Sequence, residues 1–408
     1  MRYYPRLLYA NLVDPISAGK IHIVFGARQT GKSTLMRKLA VPGSVFINLQ
    51  DRSKRLDLER EPIIFTRQLR ALQSREVRVI VDEIQKVPEL LNEVQYLYDE
   101  FPGRFEFFLT GSSARRLKLS SSNLLPGRSH LYRLCPLLLF ERQGNQAGKI
   151  LPVKPPDALE PLFPSAGIEE ILLYGNLPGV VLEPASSRAL TLESYVELYL
   201  EEEIRREGLV RNIGAFQQFL ELAAMESGKI INLTAISRES GVSVSTLRTF
   251  YQVLEDTFVG YRIPSFGRDS RKRILRTPKF LFFDTGVRNA AARLGFTDTL
   301  LKTQCGQLFE NWVGLELMHR CLLLGRAYRL SFWRTARHAE VDYVLETPEE
   351  IIPVEVKWTA IPHESDARYL KQFLEMYPAR ARRGFIVCRC RQSQQIANNI
   401  MAIPWQEI

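Results

Sequence analysis

Eight consecutive residues, Gly26-Ala27-Arg28-Gln29-Thr30-Gly31-Lys32-Ser33, carry the strongest chemical signal in this 408-residue chain. Their GxxxxGK[ST] spacing is that of a phosphate-binding loop. Glycines let backbone N–H groups curl around phosphate oxygens, and a helix N-terminus behind them adds its positive dipole end. Lys32 is then expected at the β- and γ-phosphates and the Ser33 hydroxyl on Mg2+, with Gly26 through Thr34 cradling ATP. About fifty residues later the apolar run VRVIVD ends in Asp82-Glu83. Asp82 is expected beside the metal, and Glu83 as the general base for the attacking water. Alone, such a pair is usually a solvated strand end; behind a phosphate loop it completes a site.

A third strand-like run, FFLTGSS, ends in Thr110 and Ser112. A polar group there can sense a γ-phosphate, or Thr110 can simply end a strand while Ser112 caps a helix. Arg128 lies beyond that helix. It suits a finger acting on a neighbouring subunit's nucleotide, which requires a homo-oligomer, and equally a surface phosphate contact or a plain salt bridge.

A second constellation lies near the C-terminus: Glu310 on a helical stretch, Asp342 in the strand-like AEVD, and Glu355-Val356-Lys357 in IIPVEVKW. Strand alternation puts Glu355 and Lys357 on one face, and a paired strand would bring Asp342 to them. This is the pattern of the PD-(D/E)xK nuclease fold. In it Asp342 and Glu355 bind Mg2+, Lys357 positions or activates a water, and Glu310 adds a further carboxylate. Salt bridges explain most isolated ExK triplets, and such a fold can also be kept for DNA binding or packing.

The elements that must position these groups can be read from periodicity. IHIVF (21–25), SVFINL (44–49), VRVIVD (77–82) and FEFFLT (105–110) alternate with helix-length amphipathic stretches, which implies a parallel sheet with crossover helices. A Pro-, Gly- and Lys-rich loop covers 141–165. Helical periodicity returns over 166–210, with Tyr195, Leu198, Tyr199 and Ile204 on one stripe. Three helices and a strand pair follow over 212–266. In the second of two helices joined by a turn, Arg248 is the best candidate base contact, but Leu247, Phe250, Tyr251, Val253 and Leu254 make the helix equally suited to packing. The segment 262–279 holds seven basic residues and one acidic one. That suits phosphate-backbone contact with DNA, or a solvated charge run. One long helix and strands at LSFWRT, EVDYVLE, IIPVEVKW and RGFIVC fill the C-terminal part.

Composition narrows the class. The chain is 45% hydrophobic and 25% charged, ordinary for a globular protein, and no apolar run approaches a membrane span. Pro5 and Asp14 interrupt the first residues, so no signal peptide is expected and the default compartment is the cytoplasm. The net charge is +10, from 41 Arg and 14 Lys against 45 acidic residues. Arginine excess suits phosphate recognition and is equally explained by genome composition. Five scattered cysteines argue against a disulfide framework, and Cys388-x-Cys390 reads as buried or strand-edge thiols.

The chain resembles the prokaryotic AAA-type P-loop ATPases with a fused C-terminal domain of uncharacterised function, a branch near the archaeal and STAND-type NTPases. The matching pieces run in order from GARQTGKST, VDEIQK, LTGSSARRL and PGRSHLYRLCPLLLFE through YGNLPGVV and KRILRTPKFLFFDTGV. They continue with GQLFENWVGLEL, FWRTARHAEVDYVLE and IIPVEVK. The resemblance implies an α/β chain: a P-loop core (1–140), a linker and helical lid (141–211), a winged helix (212–285) and a nuclease-like domain (286–408). The expected function is ATP hydrolysis coupled to a DNA-associated, Mg2+-dependent nuclease-like domain. The alternative is a nucleotide-controlled switch whose C-terminal fold is a passive interaction module.

Overall fold

The computed structural model describes residues 2–14, 19–113, 125–144, 148–151, 161–198 with the backbone of 199–200, 212–267, 277–336 and 339–408. The chain divides into two compact units. One comprises residues 1–135 with 256–258, the other 136–255 with 259–408.

The first unit is built on five parallel strands: β1 (Ile21–Phe25), β2 (Val45–Asn48), β3 (Val77–Asp82), β4 (Phe105–Gly111) and β5 (Ser129–Arg133). They are ordered β2-β3-β4-β1-β5. Ile21, Ile23, Val79, Val81, Phe107 and Leu109 are buried, as strands covered on both faces require. The four strands expected from the apolar runs are present. β5 was not expected, because SHLYR alternates with half-exposed side chains at the sheet edge and lacks a continuous apolar run. All strands run the same way, so the groups at their C-terminal ends gather at one edge of the sheet. With β4 inserted between β1 and β3, Val24 pairs with Thr110 and Val81 with Leu109. The end of β4 therefore stands between the phosphate loop and the acidic pair.

The second unit contains helices Ile168–Tyr174, Ala185–Ser194, Ile213–Met225, Leu233–Ser240 and Val244–Asp256. A π-helical segment, Tyr195–Leu200, follows the second of these. Tyr195 is buried while Leu198 is 63% exposed, so the expected common stripe is not kept. The wider π turn rotates positions three apart off one face. Tyr199's side chain and Ile204 lie outside the described residues.

Strands β6 (Gly260–Ile263) and β7 (Lys279–Phe282) pair antiparallel. The C-terminal part is a 27-residue helix, Asp298–Leu324, beside a six-stranded mixed sheet. Its strands are β8 (Arg329–Arg334), β9 (Glu340–Glu346), β10 (Ile351–Val356), β11 (Gly384–Cys388), β12 (Gln394–Ala397) and β13 (Ile400–Pro404), ordered β12-β13-β11-β10-β9-β8. The four expected strands form β8–β11. Phe266, Trp333, Val341, Leu370, Phe373 and Ile386 pack one side of the sheet as a core. Cys388 and Cys390 are buried and unbridged, in keeping with the thiol reading. Among the described residues no helix is long and apolar enough to cross a membrane.

Candidate functional site

The phosphate loop joins the end of β1 to the helix Lys32–Leu39. Two glycines are required by geometry. A Cβ at Gly26 would lie 2.3 Å from the Leu134 carbonyl oxygen, and Gly31 has φ +94°. The helix N-terminus carries no side-chain cap and no acidic residue in its first turn. A helix start of this kind suits an anion, because its first N–H groups point outward along the positive end of the helix dipole. Lys32 is buried and donates to the carbonyls of Gly26 and Ala27, both at 2.9 Å. Thr30 closes the loop by donating to the Ala27 carbonyl at 2.9 Å. Arg28 and Gln29 are half-buried and Thr34 is exposed.

The acidic pair meets this loop as the sheet order dictates. Ser33 Oγ donates to Asp82 Oδ2 at 2.7 Å, and Thr110 Oγ1 donates to Asp82 Oδ1 at 2.5 Å. The Glu83 N–H donates to Thr110 Oγ1 at 3.0 Å. Glu83 itself sits at φ 65°, a left-handed conformation uncommon for a residue with a side chain. Its carboxylate accepts from Ser112 Oγ at 2.9 Å and from the Gln85 amide. Burial pushes the Glu83 carboxyl up, but Lys32, the Gln85 and Ser112 donors and Arg28 outweigh it and hold it below its ordinary value. The Glu83 carboxyl is thus ionised at neutral pH.

Two contributors were not anticipated. Arg6 donates to the carbonyls of Thr30 (2.6 Å) and Cys135 (2.7 Å), bracing the loop from the N-terminal segment. Gln85 bridges Glu83 and Ser112. Gln85 could have been sought as the polar neighbour two residues past Glu83, but Arg6 is 24 residues from Thr30 and leaves no local signal. Arg128 lies at the N-terminal end of β5, where its carbonyl accepts from the Ile21 N–H. That is the sheet edge opposite the loop of its own chain, and its guanidinium holds Asp99 at 2.7 Å.

In the second unit the three carboxylates and Lys357 come together, with two additions. β9 and β10 pair antiparallel, and the Val356 N–H donates to Asp342 Oδ2 at 2.8 Å. Lys357 Nζ reaches Glu355 Oε1 at 2.7 Å. Lys279 Nζ stands 3.2 Å from Glu310 Oε1 and 2.9 Å from Glu340 Oε1. Burial, followed by the Asp342 charge, pushes Glu310 up to about 7 and Glu355 up to about 8. Asp342 is raised by burial against the pull of Lys279. Among the described residues Glu355 Oε2 has no hydrogen-bond partner, and it is buried.

Carboxylates so short of positive charge have the donor chemistry of a hard divalent-ion site. Their present positions do not make one: among the described residues no group of three or more His, Cys, Asp or Glu side chains could hold a metal ion. Lys279 also corrects the reading of 262–279 as a uniform phosphate-contact stretch. Its ammonium is buried among carboxylates, and Arg262 pairs with Glu255 at 3.1 Å. Residues 268–276, with Arg271, Lys272 and Arg273, lie outside the described residues. In helix Val244–Asp256, Leu247, Phe250, Tyr251, Val253 and Leu254 are buried, so its apolar face is used in packing, while Arg248 is exposed.

Residues 18–142 match the AAA domain. Residues 165–298 and 305–408 match two domains of unknown function, DUF8612 and DUF4143. The chain is similar to an uncharacterised protein of Mycobacterium tuberculosis, 24% identical over 358 residues, covering 86% of this chain and 74% of that one. An uncharacterised protein of Haemophilus influenzae is 22% identical over 365 residues, covering 85% of each. The AAA match supports an ATPase of the AAA type with an α/β P-loop core, and leaves the work of the second unit to its own chemistry.

Proposed function

We propose that this protein is a cytoplasmic Mg-ATP-hydrolysing ATPase whose second unit carries a nuclease-like carboxylate site working on or near DNA. The observation that carries the ATPase reading is the continuous chain from Ser33 through Asp82 and Thr110 to Glu83 at the mouth of the phosphate loop. Lys32, which now donates to its own loop's carbonyls, turns its ammonium to the β- and γ-phosphates. Ser33 and Asp82 are the residues that would hold magnesium, which offsets phosphate charge when bound. Glu83 takes the proton of the attacking water, and Thr110, bonded to Asp82 and to the Glu83 backbone, senses whether the γ-phosphate is present. Arg128, turned away from its own nucleotide, acts on that of a second copy.

In the second unit Asp342 and Glu355 would hold a divalent ion, Lys357 would position a water, and Glu310 would add a carboxylate. The basic residues of 262–279 other than Lys279 supply DNA backbone contacts. One observation favours the alternative of a nucleotide-controlled switch with a passive C-terminal module: Lys279 already neutralises part of the cluster.

The test is phosphate release and DNA cleavage by purified protein with plasmid and linear DNA, with and without ATP and with Mg2+ or Mn2+. Phosphate release should be Mg2+-dependent and lost in Lys32→Ala, and cleavage should be lost in Asp342→Ala with ATP turnover kept. Turnover by Lys32→Ala at the wild-type rate overturns the ATPase assignment. Absence of cleavage on every DNA form moves the second unit to the switch reading.

A further inference from the structure

The residue that most changes the chemistry of the carboxylate cluster is one the motif does not contain. Lys279 opens β7 at the end of the basic stretch 262–279, three residues after Arg276, yet it is only 4% exposed. Its ammonium lies between Glu310 on the long helix and Glu340 at the start of β9. The rings of Phe332 and Tyr343 stand 5.3 and 5.8 Å away. Tyr343 in turn donates its hydroxyl to the Glu310 backbone carbonyl at 3.0 Å, fixing that wall of the site. A cation flanked by carboxylates and aromatic faces is strongly held. Burial opposes the charge on Lys279, but Glu310, Asp342 and Glu340 overcome it and keep the amine protonated.

Among the described residues four carboxylates (Glu310, Glu340, Asp342, Glu355) thus face three cations: the ammoniums of Lys279 and Lys357, and the Arg334 guanidinium 3.8 Å from Glu340 Oε2. The shortfall shows at Glu355, whose Oε2 is buried and has no hydrogen-bond partner among the described residues. Lys279 therefore divides the cluster: it pairs with Glu310 and Glu340 and acts on Asp342 through its charge alone, while Glu355 is paired with Lys357.

We propose that Lys279 is a resident counter-cation that competes with divalent metal for Glu310, so that metal binds the full carboxylate set only when the Lys279 ammonium is drawn away. The proposal rests on the reading of Glu310, Asp342 and Glu355 as a divalent-ion site. It adds a determinant of the site's metal affinity, and a physical reason why these carboxylates form no metal-holding group among the described residues.

The experiment is calorimetric titration of Mn2+ into the full chain, with thermal unfolding measured with and without Mn2+. Wild type, Lys279→Met, Lys279→Arg and the double variant Lys279→Met/Glu340→Gln are compared. The double variant removes one charge of each sign and guards against a single variant that fails to fold. Lys279→Met and the double variant should bind Mn2+ at least tenfold more tightly than wild type, and Mn2+ should raise their unfolding temperature more than it raises that of wild type. Lys279→Arg, which keeps the charge, should stay as weak as wild type. Equal Mn2+ affinity in wild type and the double variant overturns the role of Lys279 while leaving the metal site standing. Absence of Mn2+ binding in all four proteins overturns both.

Discussion

Replacing Glu83 with Gln separates base chemistry from everything else the nucleotide site does. The carboxylate accepts from Ser112 Oγ at 2.9 Å and from the Gln85 amide, and an amide at position 83 keeps one oxygen able to accept. Two charge-assisted hydrogen bonds become neutral ones, each weaker by about 1 kcal/mol, so the loss of stability is at most about 2 kcal/mol. Ser33, Asp82 and the loop are untouched, and ATP affinity should be essentially unchanged. Proton abstraction is removed. A positioned general base contributes about 10²–10⁴-fold, and at about 1.36 kcal/mol per tenfold that is a barrier increase of about 3–5 kcal/mol. Single-turnover phosphate release read beside fluorescent-nucleotide binding checks both halves. Wild-type turnover in Glu83→Gln would refute the assignment of the base, and loss of ATP binding together with turnover would make Glu83 a structural residue. The sign of the pH effect follows from the same environment. Lys32 and the two donors hold Glu83 below its ordinary value despite burial, so the base is ionised at neutral pH. Turnover should fall on the acid side only as pH drops through that lowered value.

If Arg128 acts on a neighbouring subunit, ATP turnover per subunit should rise with protein concentration, and Arg128→Ala should flatten that rise while leaving ATP affinity intact. A concentration-independent wild-type rate would leave Arg128 as the surface partner of Asp99. Replacing Arg271, Lys272 and Arg273 together should lower the slope of log DNA affinity against log salt by up to about 3, at about 0.9 per phosphate contact in duplex DNA. An unchanged slope means those charges are only solvated. Arg320 is fully buried, donates through Nε to Glu316 Oε1 at 2.8 Å and lies 4.3 Å above the Phe140 ring. Arg320→Met strands the Glu316 charge and should cost about 3–5 kcal/mol in chemical denaturation; a loss under about 1 kcal/mol would show that the site relaxes or admits water.

What could be read from the sequence alone was what local chemistry requires. Gly26 and Gly31 precede a lysine because the loop leaves no room for a Cβ at the first and takes φ +94° at the second. VRVIVD closes on Asp82-Glu83 because a buried strand can become polar only where it leaves the sheet. Parallel strands followed from the alternation of apolar runs with helix-length segments, and parallelism alone places the loop, Asp82 and Thr110 at one edge. Only the tertiary structure decided which distant groups complete each site. The insertion of β4 between β1 and β3 sets Thr110 against Asp82. Arg6 braces the loop by reaching Thr30 and Cys135. Lys279 shows the difference most clearly. In sequence it closes a run of positive charge and reads as one more surface contact. In the fold, its position opening β7 carries it into a pocket between Glu310 and Glu340. Pattern registers charge along the chain, whereas the energy of a charge depends on burial and on partners that sequence separation does not reveal.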